Sequence, residues 1–170
     1  MAGLTDFDVE LVADIKGSEG FGLTAYPDTF GNWTCGYGHK LPALAPGKSW
    51  AGFTVIQSTA DGWLDSDLRI ATAYAQKLPE FNALDTDCRQ NAVVELVFNM
   101  GSRWMYFAKC RASIQVKDWQ GAHDQLLWNV VPDPANGVVG IPTKWEVEIH
   151  ATRVDRIANY LLTGQYPSVE

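Results

Sequence analysis

The sequence has no apolar run approaching the roughly 20 residues that a helix needs to cross a bilayer, so membrane insertion is not expected. It has no cationic excess either: 13 Lys and Arg stand against 20 Asp and Glu, a formal net charge of -7. A nucleic-acid partner is therefore not expected, because such binding needs a concentrated basic surface that displaces counterions. The same balance argues against simple electrostatic attraction to an anionic cell envelope. Cysteine is sparse. Cys35, Cys88 and Cys110 are odd in number and widely spaced, with no CxxC and no Cys/His cluster, so no metal and no other cofactor is expected. Buried thiols are the simpler reading, and one bridge between two of them stays open. Internal repeats and low-complexity tracts are also missing. The first twenty residues hold five acids and no long apolar stretch, so they read as neither a secretory leader nor an anchor.

What is present is the composition of an ordinary globular protein, 46% hydrophobic and 19% charged. At 170 residues the chain can bury a sizeable core without disulfides or metals. Seven Trp is a high count. Most Trp side chains pack in cores, but their flat apolar faces also suit pyranose rings.

Along the chain, Phe7, Leu11 and Ile15 recur every fourth residue, which predicts a helix from about Asp6 to Lys16, with Thr5 as cap and Gly17 as stop. Glu19 then follows a helix end. Residues 20–40 are rich in Gly, Thr and aromatics, with turn residues at Pro27-Asp28 and Gly31-Asn32, the composition of a β-hairpin. Residues 41–57 read as loop. From about residue 58 the period is helical. A helix starting near Ser58 carries Trp63, Leu64, Leu68, Ala71 and Ala75 and ends before Pro79. Another starts at Asp85 or Thr86 and ends at Gly101, and a third is capped by Asp118 and runs through Leu126 and Leu127. Residues 129–142 read as a Pro/Gly-rich connection. Thr143 and Glu146 form a capping box for a last helix, with Ile149, Ile157, Tyr160 and Leu161 inward and Gly164 at its end. The expected fold is α+β and mostly helical. A small N-terminal hairpin lobe (about 1–57) and a larger all-helical lobe (about 58–170) make up one domain, with a cleft between them as the natural site.

Glycosidic hydrolysis needs an acid to protonate the leaving oxygen and a carboxylate that activates water or attacks the sugar. Any chain of this length has many acid pairs, so a pair alone carries little. Context selects Glu19 at the helix end, Asp28 at the hairpin turn nine residues on, and Thr34 six further, on the next strand-like run.

The stretch from Glu19 to His39 resembles the catalytic segment of phage-type lysozymes (endolysins) of glycoside hydrolase family 24, the T-even phage form above all. The shared pattern is Glu-Gly, then Tyr-x-Asp-Thr, then Thr-x-Gly-x-Gly-His. Here these are Glu19-Gly20, Tyr26-Pro27-Asp28-Thr29 and Thr34-Cys35-Gly36-Tyr37-Gly38-His39, without gaps. Downstream, Val97-Phe98-Asn99-Met100-Gly101 is similar to the end of the family's central helix. Thr152-Arg153-Val154-Asp155-Arg156-Ile157, with Thr163-Gly164 after it, is similar to its last long helix.

The resemblance implies a lysozyme-like fold and assigns roles. Glu19 is the general acid. Asp28 is the base that activates water, or the nucleophile if the anomer is retained. Thr34 holds the water by its hydroxyl. Arg153 supports the site by pairing with Glu19. His39, tempting as a catalytic base, is instead half of a structural pair with Asp67. Asn99 and Phe30 are candidate substrate contacts, and a helix-ending Asn that only bonds backbone is an equal alternative. Three features depart from the pattern. Phe30 stands where the T-even form has an acid, the 129–142 connection is longer than the family's short turn, and the chain is acidic where the family is often basic.

The implied function is a muramidase that cleaves peptidoglycan between N-acetylmuramic acid and N-acetylglucosamine. The partner is peptidoglycan, the chain is a monomer, and a holin lets it pass from the host cytoplasm to the wall in the periplasm. The alternatives are a lytic transglycosylase, which needs one Glu and gives an anhydro product, and a tail-associated lysozyme or structural module on the same fold.

Overall fold

Helix α1 (Val9–Glu19) begins where the Asp8 side chain accepts the Glu10 N–H at 2.9 Å, satisfying a donor that every helix start leaves orphaned. The computed structural model describes residues 3–28, 31–144 and 151–167. A short 3-10 turn, Leu4–Asp6, precedes α1. The sequence predicts Asp6–Lys16, and the helix departs from that at both ends. Asp8 rather than Thr5 supplies the cap, and Gly17 keeps helical geometry. The chain leaves the helix only at Gly20, whose φ of +68° lies in the left-handed region. Glu19 is thus the last helical residue, not the first beyond the helix. Leu11 and Ile15 are buried as the apolar stripe requires.

Three antiparallel strands follow in the order β1 (Gly22–Pro27), β2 (Trp33–Gly36) and β3 (His39–Lys40). Tyr26 lies opposite Thr34, Pro27 opposite Trp33, and Cys35 opposite His39. Pro27 ends β1 rather than starting a turn. Residues 53–55 cover the outer edge of β1: Ala25 N–H bonds Phe53 O at 2.8 Å and Val55 N–H bonds Leu23 O at 2.9 Å. The segment that reads as loop therefore pairs with a strand edge that would otherwise be open to other chains.

Helix α2 (Gln57–Ala75) matches its predicted span and buries Ala60, Leu64, Leu68, Ala71 and Ala75. The chain divides into two compact units inside this helix, Met1–Ile70 and Ala71–Glu170.

The second unit is mostly helical. After a 3-10 turn at Pro79–Ala83 comes α3 (Asp87–Met100), capped by Thr86, whose hydroxyl accepts the Arg89 N–H, and stopped at Gly101 with φ +56°. A second 3-10 turn (Gly101–Tyr106) leads to α4 (Ala108–Gln115) and then α5 (Trp119–Leu127), capped by Asp118. Helix α6 (Ala151–Thr163) closes the unit. Trp104, Ile114, Leu126, Ile157 and Leu161 form its fully buried centre. Residues 128–142 are not a plain connection. They form a hairpin of β4 (Trp128–Val130) and β5 (Ile141–Pro142), with a 3-10 turn at Pro134–Asn136 between the strands. Pro132, Pro134, Gly137 and Gly140 lie between the strands, and Trp128 pairs with Pro142 and Val130 with Ile141. Glu146 and Ile149 lie outside the described residues. The architecture is α+β and mostly helical, as the sequence predicts.

All three cysteines are buried thiols, and none is in a disulfide. Two polar anchors hold the second unit. The Arg89 guanidinium donates to the Leu161 and Leu162 carbonyls at 2.7 and 2.8 Å and to Asp85 at 2.7 Å, while lying 4.1 Å over the Trp119 ring. It places positive charge on the carbonyl end of α6, where the helix dipole favours it. Glu80 is fully buried. It accepts Trp104 Nε1 at 3.0 Å and a two-pronged ion pair from Arg111. Replacing Glu80 by Ala strands the Arg111 guanidinium and the Trp104 N–H without their acceptor. We expect a loss of about 3–5 kcal/mol in urea unfolding; a loss under about 1 kcal/mol refutes the role given to this pair.

Candidate active site

Glu19 ends α1 with its carboxyl pressed against the β2–β3 turn. A Cβ on Gly38 would lie 2.9 Å from Glu19 Oε2, and Gly38 also has φ +77°. The backbone conformation therefore favours glycine here, and a side chain at this position would displace the Glu19 carboxyl. The end of α1 is pinned from the other side as well. Lys16, one turn before Glu19, bonds Asp61 Oδ1 on α2 at 2.7 Å, and its ammonium sits 4.9 Å from the Tyr37 ring centre. Tyr37 in turn accepts Gln57 Nε2 on its hydroxyl at 2.8 Å and packs against Phe21. One polar and aromatic cluster thus ties α1, the β2–β3 turn and the start of α2 together. Burial alone pushes the Asp61 carboxyl upward, but hydrogen bonds from Lys16 and Gln57 and the Lys16 charge win, and its pKa lies below the ordinary value of 3.8.

Asp28 directly follows β1, and its loop closes on itself. Its N–H bonds Asn32 O at 2.7 Å, and its carboxylate accepts the Asn32 N–H at 2.7 Å and Asn32 Nδ2 at 3.0 Å. Asn32 therefore fixes the rotation of the carboxylate. The sequence marks Asn32 only as a turn residue; its spacing of four from Asp28, across Gly31, is the signal for this clamp. Thr34 stands opposite Tyr26 in the strand register, is 4% exposed, and donates its hydroxyl to the Tyr26 carbonyl at 3.2 Å. Glu19, Asp28 and Thr34 all belong to the first unit. Hydrolysis of an acetal needs one carboxyl group to protonate the leaving oxygen and another to activate water or attack.

His39 and Asp67 are brought together: His39 Nδ1 lies 2.8 Å from Asp67 Oδ2, and the ring stacks on Trp63 at 4.6 Å. The pair joins β3 to α2. Asn99 lies in the last turn of α3, in the second unit. Arg153, on α6, is 6% exposed and donates from Nε to Glu95 Oε1 at 3.0 Å, and Arg156 reaches the same oxygen at 2.8 Å. The sequence reading pairs Arg153 with Glu19 and does not single out Glu95. The available signal is a lone acid inside the apolar run 92–97. Phe30 lies outside the described residues. Among the described residues no helix is long and apolar enough to cross a membrane.

Residues 16–141 of the chain match the family described as Phage lysozyme, a stretch that begins at the Lys16 anchor and includes Glu19, Asp28 and Thr34 but not Arg153. The chain is also similar to a protein named Endolysin from Acyrthosiphon pisum secondary endosymbiont phage 1. The two are 28% identical over 113 residues, covering 66% of this chain and 72% of that one.

Two outcomes test the geometry. Gly38→Ala strains a left-handed backbone and crowds the Glu19 carboxyl, so it should cost about 1–3 kcal/mol of stability and lower turnover more than tenfold, roughly what a small displacement of a reacting group removes. A variant with parental turnover shows that Glu19 does not depend on this contact. The second concerns acid. Because the folded pKa of Asp61 is depressed, its ion pair contributes stability above the unfolded value of 3.8 and loses it as pH falls through the lower folded value. Asp61→Asn should therefore melt earlier than the parent at neutral pH, by less than about 1 kcal/mol because the pair is one-third exposed. The gap should close in strong acid; melting curves with a constant gap from neutral pH down to strong acid rule this out.

Proposed function

The chain belongs to the phage lysozyme family of glycosidase-type enzymes that hydrolyse peptidoglycan, and on that premise we propose that it is a muramidase cutting the β-1,4 bond between N-acetylmuramic acid and N-acetylglucosamine. The finer assignment is to glycoside hydrolase family 24, near the T-even phage form. The observation that carries the proposal is the seating of Glu19. A half-buried carboxyl at a helix end, set against a turn glycine with φ +77°, has the partly enclosed seat that suits a general acid.

In this reading Glu19 protonates the glycosidic oxygen as the C–O bond breaks, and the leaving sugar departs as an alcohol. Asp28 meets the sugar carbon from the other face. Its carboxylate takes a proton from the attacking water, or bonds the carbon itself before water displaces it. Its clamp by Asn32 supports either role, since a fixed carboxylate loses little freedom on reaching the transition state. Thr34 positions the water through the acceptor capacity of its hydroxyl, the proton being engaged by the Tyr26 carbonyl. Arg153 supports the site, its guanidinium aligned by Glu95. Asn99 and Phe30 contact substrate, and the His39–Asp67 pair keeps β3 against α2. The biological role that fits is an endolysin, acting as a monomer, made in the host cytoplasm and passed to the periplasmic wall through a holin pore.

Glu19→Gln and Asp28→Asn should each reduce wall lysis by at least about a hundredfold while leaving the melting temperature within about 2 °C, a surface-substitution effect. Mass spectrometry of digested wall should give muropeptides with a reducing N-acetylmuramic acid. An anhydro-muramic product identifies a transglycosylase and overturns the muramidase reading, as does full lysis by Glu19→Gln.

A further inference from the structure

The turn between β1 and β2 is held by its backbone. Asp28 N–H bonds Asn32 O at 2.7 Å, Gly31 N–H bonds Asp28 O at 2.9 Å, and Asn32 N–H bonds the Asp28 carboxylate at 2.7 Å. Each of these donors is a main-chain group, so the Asn32 side chain adds nothing that closure of the turn requires. That side chain nevertheless reaches back over the same carboxylate, with Nδ2 3.0 Å from Oδ2 and 3.3 Å from Oδ1. Asn32 is exposed, so water is an equal partner for its amide and no burial holds it in place. A similar contact elsewhere has a structural purpose. Asn136 Nδ2 bonds Asp133 at 2.8 Å, but Asp133 caps the 3-10 turn Pro134–Asn136. Asn32 leads directly into β2 rather than into a helix, so capping does not account for its amide.

The amide contributes chemically instead. The torsion of a carboxylate about its Cβ–Cγ bond is broad, and a single donor on one oxygen leaves much of that freedom. A second donor set against both oxygens removes it. The donor is also neutral. An Arg or Lys in this place would fix the carboxylate as firmly but would pair its charge, and that charge is what takes a proton from water or meets the positive charge developing on a sugar carbon. We propose that Asn32 is a positioning residue for the reaction: its side-chain amide, superfluous to the turn, holds the Asp28 carboxylate in the one rotation from which it acts. The proposal rests on the assignment of Asp28 as the second reacting carboxylate, and Asn32 acts only through it. The Asp28 contact with the reacting centre tightens in the transition state, so the effect falls on kcat rather than on KM.

The test uses the full chain and the variant Asn32→Ala, which removes the amide and keeps the three backbone bonds. Asn32 does not have a left-handed φ, so alanine fits the backbone. On soluble wall fragments kcat should fall about tenfold, the scale of a small loss of alignment, with KM within about twofold of the parent. The melting temperature should stay within about 2 °C. The acid limb of the kcat/KM profile should move to higher pH, because donors to a carboxylate favour its charged form. Asn32→Asp, of the same shape but with an acceptor facing an acceptor, should lose more than Asn32→Ala. In the Asp28→Asn background, adding Asn32→Ala should change the residual rate by less than about twofold, since nothing is left to position; a purely structural role lowers the rate by the same factor in both backgrounds. Parental kcat in Asn32→Ala, a loss confined to KM, or an equal loss in the Asp28→Asn background overturns the proposal. Two failures stay distinct. Full lysis by Asp28→Asn overturns the assignment of Asp28, whereas an inactive Asp28→Asn beside a fully active Asn32→Ala overturns only the role of Asn32.

Discussion

The approach of Glu19 to Gly38 is the constraint on which the candidate site depends. The turn needs a left-handed φ, and a residue without a Cβ there leaves the Glu19 carboxyl its present place; Gly38 satisfies both conditions. The proximity also needs something to hold it. Lys16, Tyr37, Gln57 and Asp61 supply that from three elements, through one ion pair, one hydrogen bond and one cation over a ring. None of these contacts is strong alone, since each is partly exposed. Their value is geometric: they remove the freedom of α1 to rotate about its own end, which is where Glu19 sits. The three-stranded sheet does the same for the other two residues. Its register sets Thr34 against Tyr26, and the Asp28–Asn32 closure begins where that register ends.

The second unit is held differently, by buried charge that is paired. Glu80 with Arg111 and Trp104, Glu95 with Arg153 and Arg156, and Arg89 with Asp85 and the end of α6 each bury a group that would be costly if left alone. Such networks add little net stability relative to apolar packing, because the gain repays desolvation. What they impose is uniqueness. An apolar helix face can slide along its neighbour at small cost, but Arg89 reaches the Leu161 and Leu162 carbonyls only when α3 and α6 have one particular axial alignment. The Glu95 pairs, with Arg153 and Arg156, fix the same two helices a second time, earlier along α6 than the Leu161 carbonyl.

Much of this was legible in the residues. Caps and stops with side-chain chemistry announce themselves: Thr86, Asp118, Gly101 and Gly164 are where a single sequence says they should be. The motif from Glu19 to His39 singled out Glu19, Asp28 and Thr34 as candidates, and the resemblance it carries implied the contact between His39 and Asp67 that the structure shows. What stayed hidden has a common cause, competition between equivalent local signals. Thr5 and Asp8 are both good caps, and only the packing of Leu11 and Ile15 selects Asp8. Gly17 and Gly20 are both plausible stops, and only the turn after Glu19 selects Gly20. The β4–β5 hairpin was masked by its own Pro and Gly, which read as a connection, although four of the five lie between the strands and Pro142 pairs with Trp128. The 3-10 turn at Gly101–Tyr106 and helix α4 have few apolar positions, Trp104, Cys110 and Ile114, too sparse for a clear period. Glu95 was invisible because an acid in an apolar run reads as noise until its two arginines are seen, and they come from 58 and 61 residues away.

These two modes of support bear on how an acidic protein meets an anionic polymer. Uniform positive charge attracts such a polymer without selecting any part of it, and it binds nucleic acid and lipid surfaces just as readily. With a net charge of -7 this chain forgoes that general attraction. Several of its cations are spent inside the fold, Arg89, Arg111 and Arg153 among them, where they meet carboxylates or helix ends and cannot act on a distant ligand. Exposed cations gathered in one place therefore stand out against the acidic background. Arg103, Lys109 and Lys144 share one pocket with aromatic faces. Acidity elsewhere repels an anionic polymer from most of the surface, so attraction to such a polymer is confined to the few places where cations gather.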